Sequence, residues 1–160
     1  MALVTEDEIV DIAIRLEESG EAFYTAAADK MANDKIRLLF QELSMQEQEH
    51  RRAFQQMGRN AVKLAYTPEQ WEQFQAYVGA LLQQTFFRNP ESALERATTV
   101  TDPASALEAA LGFEKESILF YQELQAVVQE TNRQIVARVI REEKHHLERL
   151  ADVLADLSPA

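Results

Sequence analysis

The 160 residues carry a formal net charge of −11, with 46% hydrophobic and 27% charged side chains, four Gly, four Pro and no Cys. That balance describes one soluble domain, too short for two good cores and too apolar for disorder. It excludes disulfide frameworks, zinc fingers, thiolate nucleophiles and thiolate-held iron–sulfur or haem groups. The acidity also argues against nucleic-acid and anionic-membrane partners.

Punctuation by Gly and Pro is sparse, and apolar residues recur at three and four, as in Ile9, Ile12 and Leu16, so the pattern predicts an all-α chain. The stretch MALVTEDEIVD is acidic where a secretory signal has a basic start, and no apolar run approaches the ~18 residues that span a bilayer, which points to the cytoplasm. Thr5 with Glu8 forms a capping box, and the stripe Val10, Ile14, Phe23, Ala27 carries a first helix to about Met31. Asn33 and Asp34 open a second helix to about Met57, stopped at Gly58 and Asn60. The short connection makes the two antiparallel neighbours.

From about Arg59 to Thr101 the chain changes character. Thr67-Pro68-Glu69 starts a helix containing Trp71, Tyr77 and Leu81, and Asn89-Pro90-Glu91 starts a shorter one. Trp71, Phe86 and Phe87 are expected to cap the bundle or to pack on another subunit, and Met45 and Met57 to fill core gaps. Asp102-Pro103 then opens a third long helix to about Glu130, and a capping box of Thr131 with Gln134 starts a fourth to about Leu157. The expected organisation is one domain over residues 1–160, with hairpin one at about 5–58, a partly helical crossover at about 59–101 and hairpin two at about 102–157. Two helical hairpins joined by one long connection form a four-helix bundle in which each hairpin covers the other's apolar stripe.

The hairpins repeat one another. EESGEAFY over residues 17–24 matches EKESILFY over residues 114–121, and LSMQEQEHRRAF over 43–54 matches VIREEKHHLERL over 139–150. Each hairpin therefore contributes one Glu and one Glu-x-x-His, a spacing that puts carboxylate and imidazole on one helix face. The chain has three His, and each follows a Glu by three residues. The fourth helix offers two registers. Glu142 with His145 runs through Arg138 and Arg149, a solvated stripe, whereas Glu143 with His146 runs through Val139 and Leu150 and points inward. The same test turns Glu47 and His50 inward between Leu43 and Phe54, and Glu17 inward on the line of Ile14, Gly20 and Tyr24. Glu114 falls among Leu111, Ser117 and Tyr121.

Four carboxylates and two imidazoles inside an apolar bundle demand neutralisation, because buried like charges repel and each loses hydration worth several kcal/mol. The nearby bases Arg15, Lys115, Arg138 and Arg141 fall on outer faces. Two divalent cations balance four carboxylates, and hard oxygen ligands with two imidazoles suit iron or manganese, with zinc as a further option. Iron is favoured on chemistry, since a pair of iron ions can deliver two electrons together to an O–O bond.

This constellation resembles the ferritin-like di-iron carboxylate proteins, and most closely the rubrerythrin-type (erythrin) domains, over roughly Ile9 to Leu154. The resemblance implies a ferritin-like bundle with Glu17 and Glu114 as ligands from helices one and three. It further implies Glu47 and Glu143 as bridging carboxylates, His50 and His146 as terminal imidazoles, and Tyr24 and Tyr121 as hydroxyls that hold ligand carboxylates. It also implies reduction of hydrogen peroxide or O2, two Fe ions, a homo-oligomer such as a dimer, and an external electron donor such as a rubredoxin-like protein. This chain, without cysteine, builds no thiolate-held iron of its own. Ser117 stands where peroxide-reducing rubrerythrins carry a further Glu, so the set is closer to the six ligands of bacterioferritin. Iron oxidation for storage or detoxification in a multi-subunit shell, and a non-enzymatic helical interaction module, are the rival functions.

Overall fold

Capping side chains set where four of the helices begin in the computed structural model, which describes residues 3–85 and 88–157. After a single 3-10 turn at Glu6–Glu8, α1 runs over Ile9–Lys30, and Asn33 caps α2, Asp34–Arg59, by accepting from the Ile36 N–H. In the crossover, Thr67 and Gln70 close a capping box on α3, Pro68–Gln84, and Asn89 caps α4, Pro90–Thr99. Asp102 caps α5, Pro103–Val127, and α6 covers Glu130–Leu157. Proline occupies the first turn of α3, α4 and α5, where a missing N–H removes no helical bond. The fold is all-α. Among the described residues there is no strand, and no helix is long and apolar enough to cross a membrane.

The helices pair as two hairpins, α1 with α2 and α5 with α6, and the hairpins meet through α1 against α5 and α2 against α6. The crossover lies outside this bundle, α4 against α1 and α3 against α5. Lys30, at the end of α1, donates to the carbonyls of Ala97, Thr98 and Val100 at 2.8, 3.2 and 3.0 Å, giving the C-terminal carbonyls of α4 a cationic cap. Tyr66, Trp71 and Phe74 stack in series at 4.9 and 5.2 Å, and Phe74 is buried. Trp71 thus packs within its own chain, while Phe86 and Phe87 lie outside the described residues.

Three boundaries differ from the sequence expectation. The third long helix ends at Val127, not near Glu130, and Thr131 lies inside the first turn of α6, so the expected Thr131–Gln134 box is not the start. The cause is tertiary. Leu64 and Val128 form an isolated antiparallel bridge, with the Ala65 N–H donating to Val127 O at 2.8 Å and the Gln129 N–H to Lys63 O at 3.0 Å. This holds Val128 extended and makes Gln129 O the first acceptor of α6. At the end of α2, Gly58 stays helical, and the left-handed residue is Ala61 at φ 54°. Met57 is buried as expected, but Met45 is 60% exposed.

A left-handed alanine costs about 1–2 kcal/mol that glycine avoids. Ala61→Gly is therefore expected to stabilise the protein by ~0.5–1 kcal/mol after the added freedom of the unfolded chain is counted. A thermal melt of the two proteins checks this, and an unchanged or lower midpoint contradicts it.

Candidate metal centre

Halfway along the bundle, each of the four long helices turns charged side chains into the apolar core. Glu17, Glu47, Glu114 and Glu143 are fully buried, and His50 and His146 are 2% and 1% exposed. Their ligand-capable atoms fall into two overlapping groups, Glu17, Glu47, His50 and Glu143 in one and Glu47, Glu114, Glu143 and His146 in the other, with the atoms of each group within 4.8 Å of one another. Glu47 and Glu143 belong to both. The six residues singled out in the sequence thus lie together, and the two registers on α6 separate as periodicity requires. His145 is 67% exposed on its side chain and lies beside Glu148 at the surface.

The imidazoles present Nδ1 to the cluster. His50 Nδ1 lies 3.2 Å from Glu143 Oε1 and 3.5 Å from Glu17 Oε2, and His146 Nδ1 lies 2.9, 3.4 and 3.5 Å from Glu143, Glu47 and Glu114. The two rings stack at 5.5 Å. Tyr24 on α1 donates its hydroxyl to Glu114 on α5 at 2.5 Å, and Tyr121 on α5 donates to Glu17 on α1, so the tyrosines exchange partners across the hairpins. Each is packed by aromatic neighbours, Tyr24 by Phe23, Phe40 and Phe113 and Tyr121 by Phe54 and Phe120.

Five carboxylate oxygens of Glu17, Glu47, Glu114 and Glu143, together with His146 Nδ1, are buried without a hydrogen-bond partner. A buried acceptor left unpaired costs ~1–3 kcal/mol, and more when charged. His146 Nδ1 approaches Glu143 at 2.9 Å without hydrogen-bond geometry. These unpaired atoms crowd into one section of the core, and among the described residues no Lys or Arg pairs with the four carboxylates; Arg15, Lys115, Arg138 and Arg141 are all exposed. The donor set fits two divalent cations of the iron, manganese or zinc type.

In the cluster's own electrostatics, protons do what cations would do. Burial, followed by the charges of Glu143, Glu17 and Glu114, pushes Glu47 well above the usual carboxylate range. Burial and Glu143 push Glu114 up to about 8. Burial and Glu17 also act upward on Glu143, but the adjacent imidazoles of His146 and His50 outweigh them and hold it low. Burial acts downward on both imidazoles, yet Glu17 and Glu143 raise His50 to about 12, and Glu114 and Glu143 raise His146 to about 10. Burial and the adjacent carboxylates lift Tyr24 and Tyr121 well above 10, which keeps both hydroxyls protonated as donors.

Two further residues of the site were not singled out from the sequence as part of it. Gly20, one turn after Glu17, leaves the room that Glu47 occupies, because a Cβ there would stand 2.5 Å from Glu47 Oε2 and 2.7 Å from the Phe113 ring. Glu142, placed by periodicity on a solvated stripe, has a half-exposed side chain, yet its Oε2 lies 2.6 Å from His50 Nε2. Its position beside the inward Glu143 was the available signal, since a long side chain at the edge of a buried face can reach across to the facing helix.

The Rubrerythrin family profile matches residues 8–153. A crystal structure from Thermotoga maritima, assigned to the ferritin-like diiron-carboxylate proteins, superposes with a TM-score of 0.69 at 24% identity, covering 99% of either chain. That likeness shows the fold. No curated protein matches.

Gly20→Ala gains ~1 kcal/mol of helix propensity but overpacks the core at a cost of about 1–3 kcal/mol. It should lower the melting midpoint of the metal-free protein and reduce retained divalent metal to one ion per chain or less, measured by elemental analysis after dialysis. Retention equal to the parent's would show that the space is not needed. Groups that hold protons more tightly folded than unfolded, Glu47, Glu114, His50 and His146, contribute stability that is lost as pH rises. The loss begins above 4.5 for the carboxyls and 6.5 for the imidazoles and runs through about 8 for Glu114 and about 10 to 12 for the imidazoles. Glu143 acts oppositely, stabilising above 4.5 and losing that contribution as pH falls. Metal-free protein should therefore melt progressively lower between pH 7 and 9, and two equivalents of divalent metal should abolish the slope. A flat profile without metal would contradict this account.

Proposed function

The chain belongs to the rubrerythrin family, and from that premise we propose that it is a cytoplasmic di-iron oxidoreductase that reduces hydrogen peroxide or O2 with electrons from an external donor. The observation that supports this most is the pair of overlapping ligand groups sharing Glu47 and Glu143. One ion would be held by Glu17 and His50, the other by Glu114 and His146, with Glu47 and Glu143 between them; manganese or zinc would fit the same donors. When bound, two adjacent iron ions supply two electrons at once, so that an O–O bond is broken without one-electron release.

The remaining work is the protein's. Tyr24 and Tyr121 fix the carboxylates of Glu114 and Glu17 by hydrogen bonds from the opposite hairpin, limiting the rotation of both ligands. Burial of all six ligand residues excludes bulk water and confines access to small molecules. None of the 160 residues is cysteine, so the reductant comes from outside them, and a rubredoxin-like protein has the right chemistry. We further propose that the chain assembles as a homodimer.

One observation favours a second reading. Ser117, fully buried and without a partner for its hydroxyl, holds the place one turn beyond Glu114 and leaves the set at six ligand residues. Such a set also suits oxidation of ferrous iron for storage, which would need a large shell.

Anaerobic Fe(II) titration followed by separate peroxide and O2 challenges tests the proposal. The expected result is saturation at two Fe(II) per chain, consumption of one peroxide per two Fe(II) oxidised, and a native mass of a dimer or small oligomer. A cage-sized assembly that keeps mineralising iron beyond two per chain would instead support storage. Uptake of less than a fraction of an equivalent would leave a helical interaction module.

A further inference from the structure

The repeat that places Glu47 opposite Glu143 and His50 opposite His146 also places Gln46 opposite Glu142. The ligands are thus kept twofold, while the residues beside them are not. His50 Nε2 faces the Glu142 carboxylate at 2.6 Å, and Glu142 Oε1 lies 4.0 Å from the Arg138 guanidinium at the surface. His146 has no such support. Its carboxylate neighbours are all on the Nδ1 side, and among the described residues no carboxylate comes within 4.0 Å of its Nε2. The counterpart side chain is a neutral amide, and Gln46 Oε1 is buried without a hydrogen-bond partner.

A carboxylate that accepts from one imidazole nitrogen fixes the tautomer, leaves the lone pair on the other nitrogen facing the ligand group, and raises its donor strength. The neutral amide at the matching place of the repeat carries no such charge to offer His146. We propose that Glu142 makes the two cation positions unequal. The position formed by Glu17, Glu47, His50 and Glu143 binds a divalent first-row cation more tightly and fills first, and the position at His146 is the weaker and more labile. Glu142 acts here as a positioning residue through His50. The inference rests on the di-metal reading above.

Anaerobic Co(II) titration of the full chain, followed by calorimetry and by visible absorption of the bound ion, tests it. The parent protein should take up two Co(II) in two resolved steps. Removing an outer hydrogen-bond partner of a ligand imidazole typically weakens binding by ~10–100-fold, so Glu142→Gln should weaken the tighter step by about that factor and move the two steps together. Glu142→Asp should recover part of the separation. Gln46→Glu should tighten the weaker step and leave the first in place, a gain that loss of fold cannot imitate. Two Co(II) bound with equal affinity in the parent, or a separation unchanged in both Glu142→Gln and Gln46→Glu, would overturn the inference while leaving the di-metal reading intact. A parent protein that binds less than one Co(II) would defeat both.

Discussion

Four carboxylates in one section of an apolar bundle need neutralising charge, and the packing around them is arranged to admit it. Two like charges 4 Å apart repel by ~4 kcal/mol at an effective dielectric of about 20. Four ionised carboxylates within one core section would exceed the few kcal/mol that hold a domain of this size together. The fold therefore tolerates the cluster only when positive charge enters with it. Without metal, that charge is carried by protons on His50, His146, Glu47 and Glu114. Two cations can take their place because the unpaired oxygens of the four carboxylates already face inward. Metal and proton compete for the same lone pairs, which links metal uptake to pH and to folding stability at the same atoms.

The same cluster also ties the hairpins together. Among helices, the most extensive packing lies within each hairpin, α1 on α2 and α5 on α6, with α4 of the crossover next, on α1. Between hairpins, the buried polar connections are those of the site, Tyr24 to Glu114, Tyr121 to Glu17 and His50 to Glu143. Exposed ion pairs such as Lys35 with Asp156 and Arg149 with Glu42 join α2 and α6 at the surface, where solvent reduces their worth. A bundle that brings these groups to one level fixes the register of one hairpin on the other, because sliding by one turn would separate each tyrosine from its carboxylate. In this sense the site positions the fold as much as the fold positions the site.

Much of this was legible in the sequence because helices convert spacing into direction. Glu-x-x-His at 47–50 and 143–146 lies on one face by geometry alone, and flanking residues such as Leu43, Phe54, Val139 and Leu150, all buried, distinguish the inward register from the outward one. The internal repeat then made each placement a check on the other. What was not legible depends on contacts between distant segments. The break before α6 is set by pairing of Leu64 with Val128, which no local capping signal announces. The role of Gly20 depends on where Glu47 of another helix arrives, and that of Glu142 on a side chain long enough to leave its own exposed stripe and reach His50. Periodicity assigns a Cα to a face; it does not say where five further atoms will end.

Where the twofold repeat is kept and where it is broken separates two kinds of requirement. Carboxylates, imidazoles and tyrosines are matched between hairpins because neutralisation is a property of the whole cluster and any unmatched charge would be felt by all of it. Positions around them are free to differ. Gly20 answers to Ser117, and on α1 even a Cβ would overlap the shared carboxylate of Glu47, whereas α5 accommodates a full serine whose hydroxyl has no partner. Gln46 answers to Glu142, and only the latter brings a carboxylate to an imidazole. Both departures leave the count of ligands intact and alter what surrounds each half. Duplication of a hairpin accounts for two similar cation positions. Differences between the positions must come from residues beside the ligands, and Glu142, whose carboxylate reaches His50, is a departure from the repeat that touches one of them.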